Sequence, residues 1–139
     1  MVSAYLSIFF TVVLLVTTAY FILGGIPLLV LAHDTPVDGR FVRRFFEVYY
    51  SAALAGSLGS TASYALWGKP SLAIGSAAIA SIVLFLRRII LPAMERLSAR
   101  IQLSDAGAIS GFRKVHGAAL LINLIQLVLV VWGVLQISA

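Results

Sequence analysis

Phe112-Arg113-Lys114-Val115-His116-Gly117-Ala118-Ala119-Leu120-Leu121-Ile122-Asn123-Leu124-Ile125-Gln126-Leu127-Val128-Leu129-Val130-Val131-Trp132-Gly133-Val134-Leu135-Gln136-Ile137 is the stretch whose reading decides the fold. A transmembrane helix needs roughly 20 predominantly apolar residues, and this run is long enough. Its polar interruptions are few: His116 near the start, then Asn123 and Gln126 in the middle. An amide held in hydrocarbon needs a partner, so these two side chains should face other helices and not lipid. The stretch therefore implies a bundle of spans around it.

Composition agrees. Of 139 residues, 61% are hydrophobic and 11% charged, with a mean hydropathy of +1.05. A soluble domain carries about a quarter charged residues, so lipid is the expected solvent here. With no cysteine, disulfides, thiolate metal sites and Cys nucleophiles are excluded. The net charge of +5 is explained by basic residues gathered on cytoplasmic loops and anionic headgroups, with no nucleic-acid partner required.

Three more apolar runs precede the last. The first, 5–32, has no basic residue before it and is too long for a signal peptide, so it reads as a retained helix with a kink at Pro27. Asp34-Thr35-Pro36 and Asp38-Gly39 are turn signals, with Asp38 a candidate cap for an amphipathic segment over 40–47. The second span, 48–67, is rich in small residues. Ala52/Gly56/Ser60 and Ala55/Gly59/Ser63 form two small-xxx-small ladders of the kind that lets helix backbones approach closely. Gly68-Lys69-Pro70 is a tight turn into the third span, 71–91, which Pro92 closes. Arg87 and Arg88 lie about 26 Å along that helix from Pro70, near the far interface, where they can snorkel. A second amphipathic segment, 93–103, leads to the fourth span, 113–137. The expected fold is all-α: one membrane domain, an antiparallel bundle of four transmembrane helices.

Topology follows from charge. Arg40, Arg43, Arg44, Arg87, Arg88, Arg96, Arg100, Arg113 and Lys114 fall on one side of this arrangement, and Lys69 alone on the other. Loops 33–47 and 92–112 are then expected to be cytoplasmic and both termini outside, in a bacterial inner membrane. Tyr5, Trp67 and Trp132 mark the outer interface, Tyr49 and Tyr50 the inner one. On this frame Asn123 lies about 15 Å into its helix, near the midplane. Thr17, Thr18, Ser57 and Ser81 reach similar depths and are its candidate partners. At 100° per residue, His116, Asn123 and Gln126 fall within an arc of about 60–80°, one polar stripe pointing into the bundle.

Phe112-Arg113-x-x-His116-Gly117-x-x-x-Leu121-x-Asn123-Leu124 resembles the last helix of the transmembrane protein 205-like family of small four-helix membrane proteins. Phe45-Phe46-x-x-Tyr49-Tyr50, leading into a small-residue helix, is similar to another stretch of that family, and Pro92 after the third span also fits. The resemblance implies a four-helix membrane fold and at most a trafficking or transport role, with no catalytic residue carried over.

Little else in the chain carries chemistry. His33 and His116 are the only histidines, both placed near the inner interface, a spacing that suits axial ligands of a haem. No phosphate-binding glycine loop, His-Glu-x-x-His helix or nucleophile–base arrangement is present. The residues favour a non-catalytic accessory subunit packed among lipids and membrane-protein partners or in a homo-oligomer, with no cofactor. The alternatives are a small oligomeric efflux-type transporter or channel, and a haem-bearing electron carrier using His33 and His116.

Overall fold

The computed structural model describes residues 1–29, 36–102 and 106–138. Four helices account for nearly all of them: α1 (Val2–Leu29), α2 (Pro36–Leu66), α3 (Pro70–Gln102) and α4 (Ala106–Ser138). Three of these, α1, α3 and α4, are long and apolar enough to cross a membrane. The second helix is not among them. Its serines, glycines and Arg-rich start lower its hydropathy.

The helices outrun the expected spans. The polar segment before residue 48 is helix from Pro36 onward, so Asp38 lies inside α2 and does not cap it. Pro36 suits a first helical position, where its missing N–H costs nothing. Pro92 does not end α3, which continues ten residues to Gln102. An interior proline costs about 3 kcal/mol or more in a helix. Beyond it Met94 is fully buried and Leu97 packs against the core, and burial of each such side chain returns about 1.5–3 kcal/mol. The expected loop at 92–112 is likewise mostly helix, since α4 begins at Ala106.

In the α2–α3 connection, the Gly68 N–H donates to Ala65 O at 3.2 Å and the Lys69 N–H to Tyr64 O at 2.9 Å. This is a Schellman closure, which requires a left-handed residue, and Gly68 supplies φ of 75°. Pro70 then opens α3, with the Lys69 carbonyl accepting from Ala73 N–H at 3.0 Å.

Each helix packs on two others: α2 on α1 and α3, α4 on α1 and α3. Glycines set the α1–α2 spacing. A Cβ on Gly56 would stand 3.6 Å from the Leu14 backbone, and one on Gly59 would overlap the Phe10 ring. At the other end of the pair, Gly24 faces Phe45. The centre of the core is aromatic. Phe21 stacks on Tyr49 (3.9 Å between centroids) and on Phe45 (5.4 Å), and meets Phe46 edge-on at 4.8 Å. The motif Phe45-Phe46-x-x-Tyr49-Tyr50 thus wraps one phenylalanine of α1.

Candidate functional site: a buried polar cluster and an apolar cleft

His116, Asn123 and Gln126 lie on one side of α4 and are all buried. The Asn123 amide donates to Ala119 O one turn back at 2.7 Å, and its Oδ1 accepts from the Tyr49 hydroxyl at 2.7 Å. Gln126 Nε2 donates to the same hydroxyl at 3.3 Å. Tyr49 is therefore both donor and acceptor. It ties α2 to α4, two helices whose backbones do not touch. His116 sits one turn below Ala119, its ring edge-on to Phe46 at 5.1 Å.

The partner of Asn123 is a tyrosine of α2, not one of the candidate hydroxyls. Thr18 and Ser57 are buried, but they bond back to their own helices at Leu14 O (2.7 Å) and Ala53 O (2.8 Å). Ser81 is exposed and bonds to Ala77 O. Thr17 lines a shallow groove between α1 and α2. A hydroxyl that spends its proton on the preceding turn has no donor left for the Asn123 oxygen, although its lone pairs can still accept. Tyr49 and Tyr50, placed near the inner interface by sequence, point into the bundle as core residues.

Leu97 of α3 packs against Gly111 of α4. Counting about ten residues along both helices from that contact brings Arg87 level with Leu121, some 15 Å away. Asn123 is thus close to the level of Arg87 and Arg88 along the bundle axis. Arg87 is half-buried and Arg88 exposed.

The charged side chains surround the same end of the bundle. Arg43 pairs with Glu95 across α2 and α3 at 3.6 Å, and Arg44 with Glu47 at 3.1 Å. Arg40, Arg113 and Lys114 are exposed. These are solvent-facing pairs worth little to stability, the median being about 0–1 kcal/mol. His33 lies outside the described residues, so its pairing with His116 does too. Among the described residues no group of three or more His, Asp or Glu stands together.

At the opposite end lies a feature that motif reading missed, a cavity of about 200 Å³ that touches all four helices. Its floor includes Leu14, Ser60, Ile79 and Val130, all buried. Its mouth is a cleft between α3 and α4, flanked by Gly75, Ile82, Leu129, Trp132 and Gly133. A Cβ on Gly75 or Gly133 would meet no described atom within 4 Å, in contrast to Gly111, which meets Leu97 at 3.1 Å. The two helices are close at the charged end and splay apart here. The paired glycines were the available signal, but sequence alone does not distinguish a glycine that admits a neighbour from one that leaves a gap. No protein-family model, curated protein or solved structure matches the chain.

Proposed function

We propose that the chain is a four-span, non-catalytic integral membrane protein that serves as a packing subunit of a larger membrane assembly. Its Arg-rich end would face the cytoplasm and both termini the outside. The observation that supports this best is the Tyr49 hydroxyl, which Asn123 and Gln126 share across α2 and α4, while Gln126 Oε1 and the Tyr50 hydroxyl are buried without a partner among the described residues. Tyr49, Asn123 and Gln126 bond to one another in the interior, so the stripe acts as interhelical glue. The outer faces of α1, α3 and α4 carry large apolar side chains such as Leu23, Phe85 and Leu121, suited to lipid or to partner helices. The test is isolation in mild detergent. The 14.9 kDa chain is expected to elute with other membrane polypeptides or as a homo-oligomer. A monodisperse monomer with no companion rejects the subunit reading.

A transport role is the second reading. The cleft that reaches all four helices supports it. Chain-dependent efflux of a lipophilic dye from proteoliposomes is the expected sign, and equal leakage from empty liposomes counts against it.

A further inference from the structure

We propose that the α3–α4 cleft is a binding site for a small lipophilic molecule carrying one oxygen acceptor, admitted sideways from the bilayer. The proposal stands whether or not the chain belongs to a larger assembly.

Three observations converge. The first is size. The cavity holds about 200 Å³, and apolar cavities of ~150 Å³ take up benzene, so a molecule of one or two rings fits. The second is access. The mouth is made of exposed Gly75, Ile82, Leu129 and Trp132 on α3 and α4, both long and apolar enough to lie in a membrane. A ligand dissolved in lipid reaches it without crossing water. The third is an unsatisfied donor. Ser60 is 1% exposed, lines the cavity, and among the described residues its Oγ has no hydrogen-bond partner. Its neighbours on α2 behave otherwise: Ser57 and Thr61 bond back to Ala53 O and Ser57 O, each at 2.8 Å.

A buried hydroxyl without a partner is costly, and an oxygen acceptor on the ligand removes that cost once the Ser60 side chain turns its Oγ towards the cavity. Of the other deep hydroxyls at the cavity, Thr11 is bonded to Tyr64 at 2.6 Å, and Ser76 stands beside Ile79 on the α3 wall. A hydroxyl donor on a largely apolar floor favours an oxygen on an apolar body, such as a ketone, ether or alcohol. Both a lipid of the bilayer and a foreign lipophile have this chemistry.

Benzophenone is the probe, because it carries one carbonyl between two rings and attaches to nearby C–H groups on irradiation. With the full chain in nanodiscs, saturable attachment is expected on residues 71–82 and 129–133. Fluorenone should compete for it better than fluorene, which lacks the oxygen. Gly133→Phe occupies the open space and should abolish saturable attachment while the thermal midpoint holds. Ser60→Ala should weaken fluorenone competition by about two- to tenfold, the worth of one hydrogen bond, leave fluorene competition unchanged, and leave the empty protein at least as stable, since it loses an unpartnered buried hydroxyl. Organic extraction distinguishes the sources. A stoichiometric lipid present in wild type and lost in Gly133→Phe identifies a bilayer lipid. Saturable benzophenone binding with no such lipid identifies a foreign lipophile. Attachment spread over all apolar faces, or unchanged in Gly133→Phe, overturns the site. Equal competition by fluorenone and fluorene overturns the oxygen requirement.

Discussion

An asparagine side chain brings two N–H donors and a carbonyl oxygen into the core, and Asn123 places them economically. One N–H goes to its own helix at Ala119 and the oxygen goes to Tyr49. Interhelical hydrogen bonds in membranes are worth only about 0.6–2 kcal/mol, so Asn123→Leu should cost that much and leave the fold intact. Tyr49→Phe strands the Asn123 oxygen and removes the acceptor of Gln126, so its cost should be larger, about 1–3 kcal/mol. The double variant should lose less than the sum, because once Asn123 is gone the tyrosine hydroxyl has less to lose. Denaturant titration in micelles gives all three values, and additivity within about 0.5 kcal/mol would mean that the two residues do not act as a pair. The inward stripe was legible from the 100° spacing of His116, Asn123 and Gln126 alone. Its partner was not, because one helix carries no information about its register against the next. Tyr49, beside an arginine-rich segment, has the local signature of an interfacial aromatic, and only tertiary packing places it against α4.

At the scale of the helix, glycine has two opposite uses in this chain. On α2 it admits a neighbour: Gly56 lets the Leu14 backbone approach, and Gly59 holds the Phe10 ring. On α3, Gly75 faces open space. Gly56→Leu and Gly59→Leu should therefore each cost about 1–3 kcal/mol by overpacking. Gly75→Leu should cost nothing and gain up to about 1 kcal/mol from helix propensity. Thermal melts of the three variants in one detergent make the comparison. Equal gain at all three positions would show that propensity and not packing governs them, and an equal loss would show that the space beside Gly75 is not open. The small-residue ladders of α2 were visible as a spacing of four. The continuation of α3 through Pro92 was not visible, since a proline after an apolar run has the same appearance whether the helix ends or goes on. What carries α3 past it is burial of Met94 and Leu97 against the bundle, a gain that depends on α4 being present.

For the whole molecule, polarity is sorted along the bundle axis. Every described arginine lies towards the end away from the Gly68 turn, together with the Arg43–Glu95 pair, while Lys69 and Trp67 stand together at the turn, 5.4 Å apart. The buried polar cluster lies towards the charged end, and the cleft lies within the apolar belt. That layout gives one axis to charge, glue and cavity, and the proposed topology sets the basic end inward. The long apolar runs made the all-α membrane reading legible from sequence, whereas α2 is not apolar enough to count as a span by itself, and its crossing belongs to the four-span proposal. A chain without cysteine allows a clean test on a single helix. Ser71 and Ala99 are both exposed, near opposite ends of α3 and separated by about 42 Å of helix, more than the roughly 30 Å hydrocarbon core. In sealed right-side-out vesicles, Ser71→Cys should react with an impermeant maleimide at once, and Ala99→Cys only after permeabilisation. The reverse pattern would invert the orientation. Reaction of both without permeabilisation would mean that α3 does not cross, and the four-span reading would fail with it.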